Sequence, residues 1–261
     1  MPTVRIKPDT LNQENSRFVQ KPLTQPLFLN SVPKSGSHLL RNIVRMFVPV
    51  EQQYDEQFIQ WGNLQDHIDA FESKKNYLSW GHLLFSDASA IETSGCRKII
   101  LVRDPYDWVL ARGRFFVSDE FVGNAERLKE GTLTMPALLN LMIFGIHQKA
   151  PPMSELYHFN AVAWLGTGAI LVRYEDLVAN IKRIETPEAK AFFHQLLDDC
   201  GIIMPVDWRE RVVVGSDRKQ SGTARENLSG GAHDFPNVLP EMQKRLVDYA
   251  VPGLRALLGY G

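Results

Sequence analysis

The chain has 261 residues, 44% of them apolar and 23% charged, with a formal net charge of -1. That is the size and balance of one ordinary soluble α/β domain with a sizeable core, and it carries no charge footprint for a nucleic-acid partner. The two cysteines, Cys96 and Cys200, form neither a CxxC pair nor a metal-ligand spacing, so free thiols in a reducing compartment are expected, a single disulfide being the alternative. MPTVRIKPDTLNQENSRF has no apolar signal core, and AVAWLGTGAILV is glycine-broken and too short to span a bilayer. A cytoplasmic setting without a membrane span follows as an expectation.

Residues 1–26 are polar and proline-punctuated, and they read as an arm outside the core of a domain covering 27–261. PLFLNSV predicts a buried strand, and Leu39, Leu40, Ile43, Val44 and Phe47 then recur at helical spacing. NYLSWGH predicts a second strand. KIILVRD predicts a third, ending in Asp104-Pro105, where proline opens the helix YDWVLARGRFF. Residues from about 117 to 163, with MPALLNLMIFGIHQ, read as a helical insertion in the same domain. AILVRYEDL repeats strand into helix, and LPEMQKRLVDYAVPGLRALLGYG reads as an amphipathic helix broken at Pro252. Strands alternating with helices predict a single α/β domain, a central parallel sheet flanked by helices.

The stretch SVPKSGSHLLRN lies between the first strand and its helix. A glycine-containing turn there presents backbone N–H groups and a positive dipole end, which favour phosphate. Lys34 adds a charge; Ser35 and Ser37 add hydroxyls. The nucleotide-triphosphatase loop G-x-x-x-x-G-K-[ST] is absent, because this lysine precedes Gly36 and the earlier glycine is missing. Taken alone, the loop reads equally as an ordinary polar turn.

PKSGS after one strand, VRDPYDWVLARGRFF after another, LVRYEDLV after a third and RKQSG near the end together resemble the sulfotransferases that use 3′-phosphoadenosine 5′-phosphosulfate (PAPS). The resemblance covers roughly residues 27–261 and is weakest in the insertion. It implies a P-loop-like phosphosulfate-binding loop of Lys34, Ser35, Gly36, Ser37 and His38, with Lys34 beside the oxygen that bridges phosphate and sulfate. Arg103, Arg218 and Lys219 would hold the 3′-phosphate. WGHL would bring His82 as the base for an acceptor hydroxyl, imidazole having a suitable pKa. The implied product is 3′,5′-adenosine bisphosphate, no metal is required, and the acceptor is a hydroxyl of a small molecule, glycan or lipid.

The chain departs from that pattern at several places. The serine commonly found eight residues after the arginine is Ala111 here, and Arg114, one helical turn on, is a candidate replacement at the phosphate or else a solvated arginine. Leu39 stands where relatives often carry a tryptophan, Gln220 where they carry glycine, and Trp80 where they carry lysine. Adenine would then be held by a side chain of the 218–227 loop. Taken alone, Arg103 reads as a partner of Asp104 or Asp107, and Glu175 and Asp176 read as first-turn carboxylates that hold the scaffold. His67, His147, His158, His194 and His233 read as surface or packing residues. Phe115, Phe116, Phe121, Met142, Phe144, Tyr157, Phe159 and Trp164 read mostly as core, with some lining an apolar acceptor pocket. Two rival functions fit the same motifs: a P-loop phosphotransferase, with Asp104 as the acidic residue at a strand end, and a non-catalytic nucleotide-binding protein.

Overall fold

The computed structural model describes residues 3–4, 9–54, 58–118, 121–123, 125–221 and 234–261. His233, the 222–227 part of the late loop and the first residues of the N-terminal arm other than 3–4 lie outside the described residues.

Five parallel strands form the central sheet: β1 (Leu27–Ser31), β2 (Ile59–Gln60), β3 (Leu78–His82), β4 (Arg97–Val102) and β5 (Ile170–Arg173). Their spatial order is β2-β3-β1-β4-β5, with Leu27 beside both Leu78 and Arg97. The chain therefore starts in the middle, builds one side, and crosses β1 to build the other. In such sheets ligands bind outside the carboxyl ends of the strands at this switch point.

Both faces of the sheet are covered, which explains the nearly unbroken apolar strands. Alternate residues serve opposite cores. Phe28, Ile100 and Val102 join one with Trp108, Tyr157 and Trp164; Leu27, Leu29, Ile99 and Leu101 join the other with Phe193 and Trp208. The helices that matter for the site are α1 (Ser37–Arg45), α2 (Pro105–Phe116), α3 (Met135–Phe144), α4 (Met153–Asn160), α5 (Tyr174–Lys182), α6 (Pro187–Asp199), α7 (Trp208–Ser216) and α8 (Glu241–Ala250). The helical insertion is α3 and α4 with short 3-10 turns. Leu138, Leu139, Met142, Ile143, Met153 and Tyr157 from it are fully buried, so it completes the first core.

One expectation is corrected. The N-terminal segment contributes Leu11, Phe18 and Leu23 to the second core. Its polar residues are equally committed: Asn15 donates to the carbonyls of Arg45 and Val48, and buried Arg45 pairs with Asp9 at 3.0 Å. Cys96 and Cys200 are both free and buried, and burial pushes the Cys96 thiol up to about 11 and the Cys200 thiol higher still. No helix among the described residues is long and apolar enough to cross a membrane.

Candidate active site

The loop between β1 and α1 turns through two left-handed residues, Lys34 at φ 71° and Gly36 at φ 93°. A Cβ on Gly36 would sit 2.5 Å from the Tyr174 ring, so the position requires glycine twice over, by conformation and by contact. Trp108 of α2 donates its indole N–H to the Pro33 carbonyl and fixes the loop from below. Gly36 is the N-cap of α1; it offers no side-chain cap, and the first turn carries no acidic residue. The positive end of the α1 dipole is therefore left for a ligand anion.

Two buried polar atoms lie nearby, on Ser35 in the loop and on Arg103 behind the Tyr174 ring, although neither residue lines the cavity at the strand ends. Ser35 Oγ and Arg103 Nε have no hydrogen-bond partner among the described residues. Each such group costs about 1–3 kcal/mol when unsatisfied, so the pair fits a site that receives an acceptor-rich group such as phosphate. The Arg103 guanidinium stacks 4.7 Å from the Tyr174 ring centre. It pairs with neither neighbouring carboxylate: Asp104 instead takes a two-pronged bond from Arg255, at 2.8 and 3.1 Å, and caps α2 through the Tyr106 N–H.

A cavity of about 270 Å³ opens at the strand ends and is walled by Lys34, Gly36, Ser37, His38, His82 and Arg218, together with Leu39, Asn42, Tyr174, Ser221 and the Gly215–Asp217 stretch. Arg218 arrives because α7 packs closely on α1, where a Cβ on Gly215 would come 2.6 Å from the Ile43 Cα. Asn42 then bonds Ser221 at 2.8 Å across the same junction. Lys219 follows Arg218 and is exposed, its N–H held by Asp217. Arg114 does not reach the cavity; it donates to the Pro236 carbonyl and lies 5.7 Å from the Phe235 ring. A larger depression, about 510 Å³, lies over residues 144–155 and shares no wall with this one. It is built from one loop and its flanks, whereas the smaller cavity gathers groups from several elements, the usual mark of a ligand site.

His82 ends β3, and the chain just beyond it is held by Asn30 of β1, which bonds both the N–H and the carbonyl of Leu83. The imidazole Nδ1 lies 3.0 Å from the Ser31 carbonyl and 3.0 Å from Ser31 Oγ. A carbonyl only accepts, so Nδ1 carries the hydrogen and the lone pair is on Nε2. Burial, and then the nearby Lys34 ammonium, lower the imidazole pKa to about 3. The shift keeps the ring neutral throughout the physiological range and makes it a weaker base than a free imidazole. Trp80, in the place of the expected lysine, belongs to an aromatic cluster with Phe58 and His38, whose rings lie 4.8 and 4.7 Å away.

Ser31 and Tyr174, which the sequence does not single out, contact the candidate residues: Ser31 bonds His82, and the Tyr174 ring lines the cavity and stacks on Arg103. Ser31 was visible only as the last residue of an apolar strand. Tyr174 lies inside the motif RYEDL, beside the carboxylates Glu175 and Asp176. Those carboxylates do hold the scaffold: Glu175 accepts from the Asp104 N–H and the Tyr260 hydroxyl, and Asp176 pairs with Arg173.

No family model matches the chain, and no curated protein matches it by sequence. Among solved structures it is similar to mouse sulfotransferase SULT7A1 complexed with PAP, with a TM-score of 0.56, 15% identity, and coverage of 94% of this chain and 88% of that one. The chain has the sulfotransferase fold. At that identity the likeness speaks for architecture, and the chemistry is argued from the site.

Proposed function

We propose that the protein transfers a sulfuryl group from PAPS to a hydroxyl of a small-molecule, glycan or lipid acceptor. The observation that carries this reading is the gathering of the uncapped α1 N-terminus, Lys34, Arg218 and a neutral imidazole around one cavity. The bound PAP of the structural neighbour supports the same donor class.

In this reading Ser35, Gly36, Ser37 and His38 hold the 5′ end of the donor, and Arg103, Arg218 and Lys219 hold its 3′-phosphate. PAPS supplies the sulfuryl group. His82 Nε2 takes the acceptor proton as the new oxygen–sulfur bond forms and the bridging sulfur–oxygen bond breaks. Lys34 and the α1 dipole stabilise the charge that develops on the leaving phosphate oxygen, a role worth most inside a water-poor site. Arg114, engaged with the Pro236 carbonyl, stays outside the donor site in this reading, and no described residue takes the place of the hydroxyl missing at Ala111. The buried free cysteines support a reducing, cytoplasmic setting.

A labelled-sulfate transfer assay from PAPS to a panel of phenols, alcohols, sugars and lipid hydroxyls, with magnesium omitted, tests the reading. Transfer to at least one acceptor that is lost in His82→Asn supports it; transfer that requires magnesium and ATP points to the phosphotransferase instead.

A further inference from the structure

We infer that Asn30 is a positioning residue for His82: a surrogate backbone amide that fixes how the histidine leaves its strand, and so which imidazole nitrogen faces the cavity. The inference rests on the reading of His82 as the base and names the residue that aims it.

Asn30 breaks the apolar pattern of its strand. It follows Leu27, Phe28 and Leu29 in the middle strand of the sheet and is 1% exposed. A buried amide is costly unless its groups are paired. Here both ends are paired: Oδ1 accepts from the Leu83 N–H at 2.8 Å, and Nδ2 donates to the carbonyls of Leu83 at 3.0 Å and Asn160 at 3.2 Å. An N–H on one side and two carbonyls on the other set the amide's orientation.

The side chain does what one more strand residue would do. In register Asn30 stands opposite Gly81, and its amide carries the bonding between β1 and β3 past His82 to Leu83. Two residues on, the Phe85 N–H donates to the Phe159 carbonyl at 2.7 Å, so the last turn of α4 holds the continuation of the same segment. Side chains alternate across a strand, so Asn30 and Ser31 point to opposite faces. Ser31 takes the His82 ring on one face, with its carbonyl and its Oγ each 3.0 Å from Nδ1, while Asn30 pins the next residue on the other. Two consecutive residues of β1 thus grip two consecutive residues at the end of β3, and the imidazole is held against swinging with its backbone. With the Nδ1 hydrogen given to the Ser31 carbonyl, Nε2 is the nitrogen left for the cavity that His82 lines.

The test uses the full chain with isotope-labelled histidine, the His82 signals being assigned by their loss in His82→Asn. Two variants are compared: Asn30→Asp keeps the shape but loses both donors, and Asn30→Leu keeps the bulk but loses every bond. Imidazole proton–nitrogen correlation spectra at neutral pH should show the Nδ1–H tautomer in the native protein and a shift towards Nε2–H, the form free imidazole side chains favour, in both variants. In the same variants kcat for sulfuryl transfer should fall by about ten- to a hundredfold, while Kd for 3′,5′-adenosine bisphosphate stays within about twofold. A native Nε2–H tautomer overturns the inference, as does, in a folded variant, either an unchanged tautomer or an unchanged kcat. If neither variant folds, hydrogen exchange in the native protein decides: exchange of the Leu83 N–H only through global unfolding supports the inference, and rapid local exchange overturns it. If the native protein transfers no sulfuryl group from PAPS, the base reading fails, and the tautomer spectra by themselves decide whether Asn30 aims His82.

Discussion

Two strand-to-helix turns sit side by side at the carboxyl end of the sheet and are finished in opposite ways. After β4, Asp104 caps α2 with its own carboxylate, is clamped by Arg255, and gives its N–H to Glu175, while Tyr157 donates to the Arg103 carbonyl. After β1, the turn has no capping side chain or first-turn acid, and it buries a serine hydroxyl with no partner among the described residues. The first spends its carboxylate and its backbone groups on the protein, and among the described residues only the buried Arg103 Nε beside it lacks a hydrogen-bond partner. The second leaves its helix end uncapped and its buried hydroxyl without a protein partner among the described residues. The same local architecture thus yields a scaffold joint in one place and, in the function proposed above, an anion cradle in the other, and the difference lies in which residue stands at the N-cap, aspartate or glycine.

The largest expected effect falls on the chemistry beside the open turn. His82→Asn should lower sulfuryl transfer by about 10²–10⁴-fold while leaving the adenosine bisphosphate Kd nearly unchanged, because the proton acceptor is lost and the cradle is not. Equal losses in both would place His82 in binding alone.

The next two substitutions form a crossed pair. Ser35→Ala should weaken adenosine bisphosphate binding by about 1.5–3 kcal/mol, the worth of a hydrogen bond to a charged group, with no loss of stability in denaturant. Asp104→Ala should do the reverse: it removes a helix cap and unpairs Arg255, costing about 1–2 kcal/mol in urea unfolding, with a smaller effect on Kd. If Ser35→Ala unfolds the protein and Asp104→Ala abolishes binding, the contrast between the turns is wrong.

A further effect is in pH. The folded imidazole of His82, held at about 3, binds no proton where the unfolded chain, near 6.5, does. Its contribution to stability is complete above pH 6.5 and is lost as pH falls from there towards 3. His82→Asn should flatten that part of a stability–pH curve measured by denaturant unfolding.

The strand, loop and helix units were legible because apolar runs and helical spacing are local, and because PKSGS, VRDP and RYEDL each mark a strand end. Parallel order followed from their alternation. What escaped was set by contacts distant in sequence. β2 is two residues long, too short for any pattern, and it enters the sheet only by pairing with Gly81 and His82. Leu11, Phe18 and Leu23 are too widely spaced to announce a buried face. Ser31 orients His82 across 51 positions, and Phe115 meets Lys34 only once α2 has docked beside the loop. Arg114 shows the converse: a correct helix face led to a partner, the Pro236 carbonyl, that no helical spacing reveals.

The central claim is that the open turn is a phosphate cradle for a 3′-phosphoadenosine ligand. Calorimetric titration of the full chain with 3′,5′-adenosine bisphosphate, set against ATP with magnesium, tests it most directly. The account predicts that the bisphosphate binds tighter by about tenfold or more, and that Ser35→Ala and Arg103→Ala each weaken it. Tighter binding of magnesium ATP, or no heat from the bisphosphate, would contradict it.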